Sequence, residues 1–323
     1  MPILTNAEWL AKLAENRSAL REDFYAMYSS LTGGITTDPA LMSVPSDDHL
    51  VHRGDGVFES LKCVNGQLYN LDAHLERLER SGKGIGLAMP CPLDKLVEII
   101  CQTVRAGGQK TCMVRILVSR GTGNMAIDPA LCNGPVLYVI IYRLRQRIEN
   151  GRLKPARAAL TALPIKPPQL AVIKACNYLL NVLMKLEAQQ RGGDFVISVD
   201  ENGNLGEGAT ENIGILTPDN ELLLPMPERV LSGTTARRTL DLAQNLVADG
   251  TLRAAEYRNI TPAQAAQAKE IFVFGTTADV TPVIEFEGQP VGDGKPGPIA
   301  EKLLALLKKD MTPESKTLTE VFK

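Results

Sequence analysis

The stretch Pro168-Gln-Leu-Ala-Val-Ile-Lys-Ala-Cys-Asn-Tyr-Leu-Leu180 sets a lysine, Lys174, among apolar residues where an extended segment gives way to a helix. An ammonium so flanked must snorkel to water, find a partner or lose its charge. A lysine of the last kind is nucleophilic near neutral pH and suits Schiff-base chemistry. The plainer reading is a surface lysine in a connector. What lies around it in the chain decides between the two.

Downstream, Glu207 stands in Asn202-Gly-Asn-Leu-Gly-Glu-Gly-Ala-Thr-Glu-Asn-Ile213, between glycines that let a ligand approach the backbone. A carboxylate there can bond a protonated pyridine nitrogen. The run Gly233-Thr-Thr-Ala236 recurs as Gly275-Thr-Thr-Ala278. The first copy opens an expected helix and the second ends an apolar strand, Ile271 to Phe274. Glycine, hydroxyl donors and the free N–H groups of a helix N-terminus make a phosphate cradle. Upstream, Arg77 in His74-Leu-Glu-Arg-Leu78 can reach a phosphate from a helix. No nucleotide P-loop occurs, and Gly82-Lys-Gly-Ile-Gly86 lacks the preceding strand of a dinucleotide loop.

The 323 residues suffice for two ordinary domains. With 44% hydrophobic and 22% charged residues and a net charge of -2, composition is that of a globular chain without the basic field of a nucleic-acid binder. Apolar runs such as Val136 to Tyr142 fall far short of the ~20 residues a membrane span needs. Six cysteines without a Cys-x-x-Cys pair, and three histidines, offer no zinc pattern; scattered thiols suit the cytosol.

Helical spacing of Trp9, Leu10, Leu13, Leu20, Phe24 and Met27 predicts an amphipathic helix over Asn6 to Ser30, an N-terminal extension of residues 1–30. Val57 to Tyr69 reads as a hairpin turning at Asn65-Gly66. Helices are expected from an Asp72 cap to Ser81 and over Asp94 to Ala106, then strands over Cys112 to Ser119 and Pro135 to Tyr142. Residues 31–146 form the smaller domain, 147–157 a charged linker and 158–323 the larger, lysine-bearing domain. In the latter a helix is expected over Cys176 to Gln190 and strands over Asp194 to Val199 and Thr210 to Leu216. Then come a helix from Thr235 to Ala248, a strand at Glu270 to Gly275, a hairpin at Glu287-Gly288 and a helix over Pro298 to Lys309. Without strict βαβ alternation the class is α+β rather than doubly wound.

These segments together resemble the fold-type IV, or class IV, pyridoxal-phosphate (PLP) enzymes. The matching runs are His52-Arg-Gly-Asp-Gly-Val-Phe-Glu59, Leu71-Asp-Ala-His-Leu-Glu-Arg-Leu78, Ile173-Lys-Ala-Cys-Asn-Tyr178, Leu205-Gly-Glu-Gly-Ala-Thr-Glu-Asn212, Leu231-Ser-Gly-Thr-Thr235 and Gly275-Thr-Thr-Ala-Asp-Val-Thr-Pro282, in the family's order. The resemblance implies a two-domain α/β homodimer, the cofactor in the cleft and the partner chain completing the substrate pocket. It implies that Lys174 carries PLP as a Schiff base and moves the proton between substrate and cofactor. Glu207 would partner the pyridine nitrogen, Tyr178 the cofactor hydroxyl, and Arg77, Gly233, Thr234, Thr235 and Thr276 the phosphate. Tyr28 to Pro39, Asp47 to Gly54, Leu163 to Lys174 and Leu246 to Gly250 are similar to the plant-type D-amino acid aminotransferases. The transit segment usual there is missing, so a cytoplasmic version is expected.

The stretch Arg120 to Asp128 lacks the Arg-x-His pair by which bacillus-type D-amino acid enzymes hold the α-carboxylate. Arg53, where branched-chain enzymes usually carry tyrosine, and Arg115 are the candidates for substrate carboxylate, and Thr277 is a further substrate-binding candidate; structural salt bridges are the alternative for either arginine. The expected activity is transamination between a D-amino acid or branched-chain-type amino acid and a 2-keto acid. A 4-amino-4-deoxychorismate lyase is the alternative, and a cofactor-free binding protein on the same fold the remote one.

Overall fold

The computed structural model describes residues 1–15, 19–149 and 152–322. Its contacts divide it into two compact units. The first takes Met1–Leu144, Lys174–Asn177 and Thr317–Lys323; the second takes Arg145–Ile173 and Tyr178–Lys316.

In the first unit, α1 (Asn6–Glu15) buries no side chain, and Trp9 is exposed. The helix expected over Asn6 to Ser30 does not continue. Residues 16–18 of it lie outside the described residues, and Phe24–Ser29 is a strand, β1. The misleading feature is the three-residue spacing of Phe24 and Met27, which suits a helix; on the strand Phe24 is exposed and Met27 buried. Sheet pairing decides, since β1 pairs antiparallel with β6 (Val136–Tyr142) and with β2 (Gly34–Thr36). After α2 (His49–Arg53), β3 (Gly56–Val64) and β4 (Gln67–Tyr69) form the expected hairpin. Asn65 and Gly66 both take positive φ, 52° and 84°, as a two-residue turn requires. Then follow α3 (Leu71–Gly84), α4 (Leu93–Gly107) and β5 (Cys112–Ser119). Asp72 is not the cap of α3. Asn70, in left-handed backbone, holds that position, and Asp72 sits in the first turn, where a negative charge suits the helix dipole. The sheet order is Leu318–Glu320, β4, β3, β5, β6, β1, β2, all antiparallel. Helix α3 covers β3, and α4 covers β1 and β6. Leu61, Leu78, Leu96, Ile100 and Ile116 are buried core.

The second unit opens with a ribbon of β7 (Ile148–Glu149) and β8 (Arg152–Leu153), then β9 (Ala156–Leu160). The segment 147–157, expected as a linker, thus carries paired strands; its residues 150–151 lie outside the described residues. Next come α5 (Pro168–Ala171), α6 (Leu179–Gln190), β10 (Phe195–Ile197), β11 (Asn212–Leu216), β12 (Glu221–Leu224), α7 (Thr234–Ala248) and β13 (Ala254–Tyr257). The unit closes with α8 (Pro262–Ala266), β14 (Glu270–Gly275), β15 (Asp279–Phe286), β16 (Gln289–Pro290) and α9 (Pro298–Lys309). Helix α6 begins at Leu179 rather than Cys176, because residues 174–177 belong to the first unit. The sheet runs β10-β9-β15-β14-β11-β12-β13, with β16 on β15. The pairs β10/β9, β9/β15 and β12/β13 are parallel, so the sheet is mixed, as an α+β chain leads one to expect.

Glu270, buried at the start of β14, fixes α9: its carboxylate accepts from the N–H groups of Ile299 and Ala300 at 2.9 and 2.8 Å. Burial pushes this carboxyl above its usual range, while those two donors pull it down. Glu270→Ala leaves both donors buried without an acceptor. It is expected to lower stability by about 1–3 kcal/mol, read as the urea midpoint; an unchanged midpoint contradicts the role.

Candidate active site

In the first unit the candidate residues gather on β3, α3 and the segment Lys174–Asn177. That segment runs along β3 without joining its ladder fully. The Lys174 carbonyl accepts from Phe58 N–H (3.0 Å), Cys176 N–H donates to the Gly56 carbonyl (2.9 Å), and Ala175 bridges Val57. From the other side, Lys174 N–H donates to Ser81 Oγ on α3 (3.1 Å). The lysine is thereby fixed at its backbone, and its Nζ lies 4.6 Å from the centre of the Phe58 ring. Arg115, on β5, lies against the same ring at 4.9 Å and against Tyr142 at 5.9 Å. Its Nη2 reaches the Tyr142 hydroxyl at 3.4 Å, and its Nε is a buried donor without a partner among the described residues. Burial pushes the Cys176 thiol up to about 12 against the pull of Arg115 and Lys174, so it stays protonated.

One turn before Ser81, Arg77 is buried and donates Nε and Nη2 to Glu59 at 2.7 and 2.8 Å. His74 Nδ1 stands 2.6 Å from the same carboxylate. Burial alone would raise Glu59; the charge and hydrogen bonds of Arg77, then those of His74, outweigh it and hold the carboxyl far below its usual range. Burial lowers His74; Glu59 pulls it up, and Arg77 and Lys174 push it further down. The imidazole is therefore neutral at neutral pH and donates Nδ1–H to Glu59. Glu59 and His74 both stand within runs that match the family, but their pairing exists only once α3 lies on β3. Arg53 lies elsewhere in the unit, exposed at the end of α2. It donates to the carbonyls of His52 (2.9 Å) and Met125 (2.7 Å).

In the second unit, Ser198 clamps the main chain of Glu207. Its N–H and Oγ–H both reach the Glu207 carbonyl at 3.0 Å, and Glu207 N–H donates back to Oγ at 3.1 Å. The Glu207 carboxylate accepts from Leu231 N–H at 2.9 Å, two residues before Gly233. Asn212 ties the remaining pieces. Its Nδ2 donates to the Leu231 carbonyl at 2.8 Å, and a Cβ on Gly233 would fall 1.8 Å from its Oδ1, so only glycine fits there. On β11, Asn212 is also the register partner of Phe274, the residue before Gly275-Thr276. The two Gly-Thr-Thr copies are thus neighbours about one asparagine, which closes the family-like run 205–212 but to which the sequence alone assigns no role. Gly233 is the N-cap of α7 and supplies no side-chain acceptor to its first turn, where Thr234 and Thr235 are buried. Thr276 is half-buried and Thr277 exposed. Tyr178, at the N-cap of α6, has Lys166 Nζ 4.8 Å from the centre of its ring. A helix N-terminus with hydroxyls for a phosphate, a braced carboxylate for a protonated ring nitrogen and a fixed amine for an aldehyde are groups that fit PLP.

This fold and these side chains define a class. The chain belongs to the class IV aminotransferases, whose family model matches residues 56–286. Among curated relatives it is 38% identical to the "D-amino-acid transaminase, chloroplastic" of Arabidopsis thaliana over 312 residues, 96% of this chain and 82% of that protein. A solved T.th. branched-chain aminotransferase with pyridoxamine 5'-phosphate superposes with a TM-score of 0.83 at 25% identity, over 92% of this chain and 99% of that one. The branched-chain aminotransferase of Thermoproteus uzoniensis with norvaline gives a TM-score of 0.80 at 26% identity, over 93% of this chain and 100% of that one. The fold-type IV architecture expected from the sequence is the one these structures share. No helix among the described residues is long and apolar enough to cross a membrane.

Glu59→Gln breaks the buried pair and is expected to cost about 3–5 kcal/mol in a denaturant titration. Because the folded carboxyl sits below its ordinary value of 4.5, its contribution is fully present above that value and is lost as pH falls from there toward the folded one. A variant as stable as the wild type at pH 7 contradicts this role for Glu59.

Proposed function

We propose that the chain is a PLP-dependent transaminase. It would move an amino group between a D-amino acid or branched-chain-type amino acid and a 2-keto acid, with Lys174 as the lysine that carries the cofactor. The observation that supports this most is the main-chain fixation of Lys174 between β3 and Ser81, which sets its amine across the Phe58 face. When bound, PLP supplies an aldehyde for an amine and a ring that takes up the electron pair left as the substrate Cα–H bond breaks. Lys174 Nζ would take that α-proton as base and deliver it, as acid, to the carbon that had been the cofactor's aldehyde carbon, so that the amino group stays with the cofactor and the substrate leaves as a keto acid. Glu207, braced by Leu231 N–H, accepts from the ring nitrogen and keeps it protonated. The first turn of α7 with Thr234 and Thr235, Thr276 from the second copy, and Arg77 hold the phosphate. Tyr178 stands by the ring hydroxyl. Arg115, whose Nε is orphaned among the described residues, is the better candidate for a substrate carboxylate, since Arg53 already bonds two carbonyls; Thr277, in the second unit, is the further candidate for the substrate. The likeness to the Arabidopsis D-amino-acid transaminase supports the D-series as substrate.

The test is a visible spectrum of protein loaded with PLP, challenged with D- and L-amino acids. A band that requires Lys174 and is bleached by one amino-acid series is expected. A Lys174-dependent band that no amino acid changes contradicts transamination.

The homodimer belongs to this reading. Helix α6 leaves Leu179, Val182, Leu183 and Leu186 exposed at 71%, 51%, 40% and 46%, spaced along one face. That stripe supports a second copy of the chain as its cover. Sedimentation is expected to give a dimer for the wild type and a monomer for the double variant Leu183→Glu, Leu186→Glu; a dimer in both contradicts this use of α6.

A further inference from the structure

Lys166 has no part in the chemistry described so far, yet its surroundings hold it in one place. It sits in Leu163-Pro-Ile-Lys-Pro-Pro168, where a following proline confines its backbone to extended conformations. Its neighbour Ile165 packs on the glycine before Glu207: a Cβ on Gly206 would meet Ile165 Cδ1 at 2.6 Å. The lysine itself reaches over the Tyr178 ring, 4.8 Å from its centre. The ammonium therefore stands over Tyr178, and the neighbouring Ile165 packs at the Glu207 turn, the two places assigned above to the cofactor ring. Among the described residues, no carboxylate lies within ion-pair distance of it and no acceptor takes its protons. Burial draws this amine below the ordinary lysine range, while the charge of Glu207 pulls it back up. A half-buried cation with only an aromatic face and a more distant carboxylate for company lacks a counter-charge.

We propose that Lys166 is a further ligand-binding residue, whose ammonium receives an anionic oxygen of the ligand held at Tyr178 and Glu207. This rests on the reading of those two residues as cofactor-side groups. The oxygen has two sources: the ring hydroxyl of the cofactor, ionised, or the carboxylate of the amino-acid substrate. Either leaves a lysine or arginine essential there and a neutral side chain deficient.

The test compares wild type, Lys166→Met and Lys166→Arg, with matching thermal melts as the check on folding. Three quantities are read: PLP affinity of cofactor-stripped protein, the pH midpoint of the visible band without substrate, and KM against kcat. If the cofactor is the source, Lys166→Met weakens PLP binding about tenfold and moves the pH midpoint, and Lys166→Arg restores most of both. If the substrate is the source, PLP affinity and midpoint hold, while KM rises about tenfold with kcat little changed, again restored by arginine. A Lys166→Met protein matching the wild type in all three overturns the inference. Lys174→Ala separates the two levels. A band lost with Lys174 but indifferent to Lys166, with KM unmoved, overturns this inference alone, whereas no Lys174-dependent band at all overturns the reading beneath it.

Discussion

The main chain of Lys174 is bonded on two sides, to β3 through Phe58 and to α3 through Ser81 Oγ, and Cys176 adds a bond to Gly56. The rest of the first unit follows from that constraint. The same strand that accepts the lysine segment carries Phe58, whose face meets both Lys174 and Arg115, and Glu59, which is buried. A buried carboxylate on β3 needs donors, and α3 supplies them from Arg77 and His74. Those bonds hold α3 at the register where Ser81 meets Lys174, so the ion cluster and the lysine position depend on each other. The lysine is positioned by packed secondary structure rather than by a free loop, which narrows the directions its amine can take.

In the second unit, Asn212 has the comparable place. It bonds the loop before α7, leaves room there only for glycine, and by its register on β11 brings the end of β14 alongside. One residue thus joins, by its side chain on one side and its strand register on the other, two copies of the same tripeptide that lie far apart in sequence. Glu207 is drawn to the same place through Leu231 N–H. Carboxylate, helix N-terminus and hydroxyls then present different functions within one unit.

Much of this was legible in the sequence. The Asn65-Gly66 turn, the strand Cys112–Ser119, the strand Glu270–Gly275 and the helix Pro298–Lys309 all carry local signals of turn chemistry, apolar runs or caps, and stand where those signals put them. Strand β1 was not legible. Its apolar spacing fits a helix, and only pairing with β6, more than a hundred residues on, decides otherwise. The start of α6 was misplaced by three residues for a related reason, because Lys174–Asn177 are claimed by another unit. The candidate residues Lys174, Glu207 and the two Gly-Thr-Thr copies could be picked out one by one. Their partners Glu59, Ser81, Ser198 and Asn212 are ordinary polar residues until tertiary contacts give them acceptors and donors.

The chain is a class IV aminotransferase by family, and the proposed function assigns covalent chemistry to one lysine, Lys174. Lys166, half-buried over Tyr178, is a second lysine that the proposal must exclude as the carrier. The most direct measurement is to treat the protein with PLP, reduce it with borohydride and locate the modified lysine by peptide mass spectrometry. The account predicts a single modified peptide carrying Lys174. Modification at Lys166 or at scattered surface lysines, with Lys174 untouched, would contradict it.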